Sequence, residues 1–450
     1  MLVKSKWIPL FLGFVLAALT CGNAAEAKEP SLKIPAASVS VSGNESWREE
    51  EILKLLPALS SRPVDVRRLS EEIQLVNDAG ALELAADFQK QEDGSFHVVV
   101  HVKEEKPRAL SLNLNNTGNQ YTGDWRLNAT YTHASLTGHS DNLGAAWVTS
   151  PGHWEDVKQG ALLYRRLFPG KGDSAYFSYS YSDVDLGRIA DFSGLGINAT
   201  GRGSTMGAHY QHNIRYTKAH RQLVDFGFDY KDYRNAQDFR LTGYDSLHNE
   251  VDFSVFTGSI SFLDIRRWNG RYLAWSAGYT GNIDGNKEKM NRYRFGSDRH
   301  FDLFTASFNA QQRVGNDWIL GLRMNGQYTK NDVVSTEQLG AGGMYTVRGF
   351  KERSVSGDCG YVGSFEIYTP SLAGHSRFVF FTDFAGLMNH HHYNNEFSHE
   401  TLGSIGLGYR YYNEENKLSI SLDYAKVIDD IEKDTENNRR PWNVSITKQF

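Results

Sequence analysis

Three side chains in the C-terminal third of this 450-residue chain have the types and spacing for one strong electrostatic contact: Arg348, Glu366 and Asp383. Arg348 stands in Val347-Arg348-Gly349-Phe350, shortly after Gly340-Ala341-Gly342-Gly343, where glycines permit the tight backbone of a hairpin tip. The two carboxylates lie in stretches where apolar and polar residues alternate. A two-residue period puts Phe378, Phe380 and Phe384 on one face of the second stretch and Arg377, Phe381 and Asp383 on the other; in the first stretch Glu366 falls opposite Phe365 and Ile367. A guanidinium folded back onto such carboxylates forms a planar, charge-assisted pair. A shielded charge that loses its partner costs several kcal/mol, so the pair can hold a loop in one discrete position, as a latch does. The alternative is a contact that only supports folding.

Other chemistry finds less support. Ser178, Ser180 and His209 are the residues to nominate for a membrane hydrolase, but no spacing makes them a triad. His390-His391-His392, flanked by Asn389, Asn394 and Asn395, reads as a solvated loop, with adventitious metal binding as the alternative. Gly340 to Gly343 lacks the lysine and helix of a phosphate loop. The expectation is a protein without catalytic residues, cofactor or metal.

Only extended segments can present Glu366 and Asp383 side by side on one face, and such segments fill the chain after Pro107. The alternating stretches are 110–116, 122–134, 141–150, 157–167, 174–181, 203–217, 223–230, 251–263, 271–281, 301–314, 318–329, 360–369, 377–388, 404–411 and 418–424, and Trp442 to Phe450 makes sixteen. In that last segment Trp442, Val444, Ile446 and Phe450 share one face, and the chain stops on an aromatic, as the assembly signal of an outer-membrane barrel does. An even count lets both barrel ends return to the same side. Short links (218–221, 315–316, 414–416) alternate with long polar ones (282–300, 330–359, 428–440), which puts the short turns in the periplasm and the long loops outside.

Composition agrees with a barrel. There are 9 Trp, 23 Tyr, 25 Phe and 42 Gly, and the mean hydropathy of -0.49 is too polar for a bundle of membrane helices. Beyond the N-terminus no run approaches the roughly 20 apolar residues of a spanning helix. Lys4 and Lys6, the apolar stretch Ile8 to Leu19 and the small residues Asn23-Ala24-Ala25-Glu26-Ala27 read as a cleaved signal peptide over residues 1–27. Cys21 follows a poor lipidation box, so the mature chain keeps only Cys359 and makes no internal disulfide. A formal net charge of -5 gives no support for nucleic-acid binding.

A short linker (28–36) leads to a different pattern over 37–106. Val39 to Ser42 alternates as a strand, Ser46 to Leu56 and Val66 to Ala79 carry apolar residues at helical spacing, and Leu82 to Gln89 and Ser95 to Val102 alternate again. The expected architecture is a small β-α-α-β-β domain followed, over 107–450, by a sixteen-stranded antiparallel β-barrel.

With these residues in view the chain resembles the polypeptide-transport outer-membrane superfamily. Val347-Arg348-Gly349-Phe350 is similar to its sixth-loop signature, and strand counting places the motif in the sixth long loop. Ser356 to Tyr361 with Glu366, and Phe381-Thr382-Asp383, resemble the elements around the twelfth and thirteenth strands of two-partner secretion (type Vb) transporters of the haemolysin secretion/activation type. The N-terminal domain is similar to a POTRA domain, notably at Gly43-Asn44 and Val76-Asn77-Asp78, and Leu112 to Gly138 is similar to the family's first barrel hairpin.

The resemblance implies an outer-membrane pore that exports an unfolded partner polypeptide captured by the POTRA-like domain in the periplasm, without nucleotide hydrolysis. Capture by strand addition to a sheet edge needs little sequence specificity. The resemblance also implies barrel-assembly machinery and outer-membrane lipid as partners. Other readings are an assembly or insertion factor for other barrels, or a passive pore. Two departures stand out: a single POTRA-like domain with no room for a plug helix before it, and Ala385 where a glycine often follows the aspartate.

Overall fold

The computed structural model describes residues 32–450 except 120–121, 139, 184–187, 193–194, 199–201, 235, 240–246, 251, 392–395 and 432–437. The signal peptide expected over 1–27 lies outside the described residues, as does His392. The first unit contains strand β1 (Ala36–Ser42), helices α1 (Glu49–Lys54) and α2 (Val66–Ala79), and strands β2 (Leu82–Lys90) and β3 (Phe96–Glu104). Its sheet runs β1-β3-β2, with β1 parallel and β2 antiparallel to β3. Ile52, Leu56, Leu69, Val76, Val98 and Val100 fill the space between helices and sheet.

Helix α1 is shorter than the stretch Ser46 to Leu56 that the periodicity predicts. The carboxylate of Glu104 accepts the backbone N–H groups of Glu45, Ser46 and Trp47 at 2.8, 2.8 and 3.0 Å, which holds that stretch as a turn. The helix opens after Arg48 and gives way at Pro57 to a short 3-10 turn. Helix α2 matches its expected span because Asp65 caps it through the Arg68 N–H and Gly80 ends it in the left-handed region. It has two apolar sides: Leu69 and Val76 face the sheet, while Leu75 and Ala79 pack on Leu167 and Tyr216 of the barrel.

Glu72 on α2 is buried and accepts the Ala58 N–H at 2.9 Å, with Arg68 at 3.3 Å. Burial pushes its carboxyl up to about 7. A raised carboxyl favours the folded state at low pH, and that advantage is lost as pH climbs from 4.5 through 7. Glu72→Gln keeps an acceptor for Ala58 and removes the charge. It is expected to leave α2 unchanged below pH 4.5 and to stabilise it above neutrality by roughly 1–3 kcal/mol. Amide hydrogen exchange over Val66–Ala79 at the two pH extremes reads this directly.

Sixteen strands follow: β4 (Arg108–Asn115), β5 (Arg126–Ala134), β6 (Asp141–Thr149), β7 (Gln159–Phe168), β8 (Asp173–Ser182), β9 (Gly203–Tyr216), β10 (His220–Tyr233), β11 (Phe253–Trp268), β12 (Arg271–Gly285), β13 (Asp302–Val314), β14 (Trp318–Tyr328), β15 (Cys359–Tyr368), β16 (Ser376–Met388), β17 (His399–Asn413), β18 (Leu418–Asp429) and β19 (Trp442–Gln449). Each pairs with the next in chain order, and β19 closes on β4, so the expected sixteen-stranded antiparallel barrel is borne out. Helix α3 (Lys287–Tyr293) lies in the fifth long loop, between β12 and β13.

Alternation sorts the two faces. On β10, Phe226, Phe228 and Tyr230 point outward and are exposed, as lipid-facing residues are, while Asp225 is buried on the inner side. The closing seam is short, running from Ser445↔Asn115 to Gln449↔Ser111, whereas β10 pairs with β11 from His220↔Arg266 to Tyr233↔Phe253. Asparagine side chains extend it: Asn116 bonds the Trp442 carbonyl and the Val444 N–H at 2.9 and 2.8 Å. The first unit docks at the short-turn end. Asn142 donates to the Ala79 carbonyl at 2.7 Å, Arg68 to the Gly170 carbonyl at 2.8 Å, and Arg221 pairs with Asp78 while lying over the Tyr216 ring.

Candidate functional site

The sixth long loop joins β14 to β15. It leaves the wall as a hairpin in which Leu339–Ala341 pairs with Val355–Gly357. Beyond the hairpin, Gly349 and Phe350 pair with Arg440 and Arg439, and the Lys351 N–H donates to the Asn438 carbonyl at 2.7 Å. Gly349 has φ +98, a conformation that a side chain would strain. That turn sends Phe350 one way, into a buried cluster with Val362, Leu387 and Leu402, and Arg348 the other.

Arg348 reaches the inner wall and is only 3 % exposed. Its Nε and Nη2 donate to the two oxygens of Asp383 at 2.7 and 2.8 Å, and its backbone N–H donates to the same carboxylate at 3.0 Å. Nη2 also meets Glu366 at 2.8 Å, and the guanidinium lies 3.4 Å above the Phe381 ring. Arg348 therefore touches each of the residues that the sequence singled out with it, Asp383, Glu366 and Phe381. Phe381 can lie flat because Gly406 stands opposite it; a Cβ there would overlap the ring.

Sequence reasoning missed three participants. Ser364 donates to Asp383 at 2.6 Å and accepts from Arg348 at 3.1 Å. Asp423 on β18 lies 3.5 Å from Arg348 and is itself held by Arg410 at 2.6 and 3.0 Å. The signal was available, since Ser364 shares a face with Glu366 and Asp423 faces inward with Ser419 and Ser421. What the sequence does not carry is the distance between β16 and β18. Tyr368 completes the group by donating to Glu366 at 2.5 Å.

One cation is thus matched by three carboxylates, a hydroxyl and an aromatic face, with Arg348, Asp383 and Asp423 all buried. Such a site cannot lose its arginine cheaply, because buried carboxylates would be left unpaired. Ala385, the departure from the family pattern, is buried in the Phe350 cluster, where its methyl group packs. At the far end of the strand set, Trp442, Ile446 and Phe450 point outward and are exposed, and the Phe450 N–H donates to the Leu110 carbonyl at 2.8 Å; Val444 lies on the same face of β19.

The remaining candidates resolve differently. His209 sits between Asp225 and Asp229 at 2.7 and 3.3 Å and stacks on Tyr176, so both ring nitrogens face carboxylates and neither is placed to take a serine proton. His390 and His391 are not simply solvated: His390 bonds the Thr329 carbonyl at 2.9 Å and His391 bonds Asp332 at 2.6 Å, tying the seventh loop to the sixth. No group of three metal-ligating side chains occurs among the described residues.

The family model described as haemolysin secretion/activation protein ShlB/FhaC/HecB matches residues 94–411, most of the chain. The heme/hemopexin transporter protein HuxB of Haemophilus influenzae is 22% identical over 281 residues, which is 62% of this chain and 48% of that protein. The chain thus spans about half the length of the relatives it matches. Among solved structures, CdiB from Escherichia coli superposes with a TM-score of 0.74 at 17% identity, covering 93% of this chain and 77% of that one. CdiB from Acinetobacter baumannii gives 0.68 at 17% identity, covering 93% and 74%. BamA from Haemophilus ducreyi lacking POTRA domains 1–3 gives 0.60 at 15% identity, covering 93% and 85%. At these identities the structures share the fold.

Proposed function

The chain belongs to the haemolysin secretion/activation protein family of outer-membrane β-barrels, and on that premise we propose that it is the translocation pore of a two-partner secretion system. In this reading the first unit is a POTRA-like domain lying in the periplasm. It captures an unfolded partner polypeptide and delivers it to the barrel, which exports it to the surface or the medium. The chain works as a transporter, without an enzymatic step and without a cofactor. The observation that carries the reading is Arg348: a sixth-loop arginine bound to Asp383, Glu366 and Phe381 on the inner wall. A passive pore has no use for a latch of that cost.

Two features support delivery from the short-turn end. The first unit docks there through α2, and a recess of about 460 Å³ opens there, lined by Arg377, Arg410, Ser421, Ser445 and Thr447. Energy would come from folding of the client outside. The exposed face of β19, ending on Phe450, suits recognition by barrel-assembly machinery and contact with outer-membrane lipid.

Assembly of other barrels is the second reading, favoured by the likeness in fold to BamA. Quantitative proteomics of medium and outer membrane from wild-type and deletion strains separates the two. The proposal expects one or a few large proteins to vanish from the medium while outer-membrane barrels stay at normal levels. A general fall in barrels would establish an assembly factor instead, and no change in either would leave a passive pore.

A further inference from the structure

A second buried arginine fastens the base of the same loop. Arg294 follows α3 in the fifth long loop and is 6 % exposed. Its Nη1 donates to Asp358 at 2.6 Å and to the Val333 carbonyl at 2.5 Å; its Nη2 donates to Asp358 at 3.2 Å. Nε and Nη2 grip Glu396 at 3.0 Å each, and Nη2 also meets Asn389 at 3.3 Å. All five guanidinium protons are therefore used.

The partners come from two other loops. Val333 and Asp358 are the two ends of the sixth loop, and Asn389 and Glu396 belong to the seventh. Asp358 is fully buried and accepts, besides Arg294, the Val333 N–H at 3.3 Å, the Gln338 side chain at 3.1 Å and the His390 N–H at 3.1 Å. Packing reinforces the charges: Met290 of α3 is wholly buried against Val333 and Val334. The sixth loop is thus held at its tip by Arg348 and at its base by Arg294.

We propose that Arg294 is a positioning residue for export, a clasp that binds the fifth and seventh loops across the base of the sixth and keeps the long-loop end closed until a client is in transit. Two sites on one loop give export a condition that one site alone does not. The tip can leave the inner wall only as far as a fixed base allows, so full clearance of the lumen requires both contacts to yield. The inference rests on the reading of the barrel as an export channel, but its test needs no client.

The purified full-length protein is reconstituted in planar bilayers, and the open fraction is measured for wild type, Arg294→Ala, Asp358→Asn and Glu396→Ala, after heat-modifiable mobility has shown each barrel folded. Arg294→Ala and Asp358→Asn are expected to raise the open fraction by about tenfold, in the range of a typical coupling between sites. Glu396→Ala, which removes a partly exposed partner and leaves the Asp358 pair intact, is expected to raise it by a few-fold. A folded Arg294→Ala or Asp358→Asn barrel with wild-type opening overturns the proposal. If neither folds, Glu396→Ala decides it by the same criterion. Normal export from the native strain with unchanged opening in the variants defeats the clasp alone. Raised opening in a strain whose secreted proteins do not depend on the barrel defeats the export reading and leaves the clasp.

Discussion

Arg348→Ala is expected to abolish most export while leaving the barrel folded and present at the wild-type level. The substitution removes a cation that Asp383, Glu366 and Asp423 face from three different strands. Breaking a buried pair from one side typically costs about 3–5 kcal/mol, and this pair is what ties the loop to β15, β16 and β18 together. Secreted client should fall by at least about tenfold, the equivalent of roughly 1.4 kcal/mol, and the loss should appear in the medium before it appears in the membrane. Asp383→Ala should match it, because the same bidentate pair is lost. Ser364→Ala removes one hydroxyl from a satisfied network and should cost only about 1 kcal/mol. Arg348→Lys keeps the charge but loses the planar fork and should fall between. Immunoblots of medium and membrane fractions, with heat-modifiable mobility as the folding control, measure all four. A parallel loss of barrel from the membrane would mean that Arg348 serves folding alone.

Ala86→Pro is expected to lower export by a comparable factor through a different step. Strand β2 lies at the edge of its sheet, and Asn77 bonds the Leu84 N–H and carbonyl at 2.6 and 3.0 Å, which shows that Leu84 turns its backbone groups away from β3. Alternation along the strand turns those of Ala86 and Phe88 the same way. An incoming chain therefore finds its hydrogen-bond partners at Ala86–Lys90, just beyond the position that Asn77 occupies. Proline at Ala86 removes an edge N–H without touching the β2–β3 ladder. Losing that bond and blocking its neighbour is worth roughly 1–2 kcal/mol, about tenfold in capture. Ala85→Pro is the contrast, since Ala85 spends its N–H on β3 and should unfold the domain instead. Equal export by Ala86→Pro and wild type would remove strand addition at this edge from the mechanism.

The barrel was legible in the sequence because its signal is local and repeated. Phe226, Phe228 and Tyr230 against Asp225, Gly227 and Asp229 state both faces of β10 in six residues, and every other barrel strand repeats some version of that alternation. The Arg348 contact was legible because alternation also says which carboxylates face inward, leaving few partners for one arginine at a glycine-rich tip. What was not legible is whatever depends on distance across the barrel or between loops. Asp423 enters the site from β18, two strands from Asp383, and no period announces that they meet. Arg294 lies in a loop with no alternation and finds Asp358 and Glu396 far along the chain, so its role is decided by packing. The start of α1 failed for the same reason: Ser46 has the chemistry of a cap, but Glu104, on a distant strand, claims the N–H groups around it.

In the proposed function a polypeptide passes through the lumen of the barrel. A photo-crosslinking amino acid placed at Ser421, on the inner wall of the recess, and at Leu422, which points outward and is 37 % exposed, tests it in living cells. Illumination during export should trap a secreted polypeptide at Ser421 and not at Leu422, and the adduct should disappear when Ala86→Pro is combined with the probe. Normal appearance of the client in the medium with no adduct at Ser421, or with adducts only at Leu422, would contradict passage through the lumen.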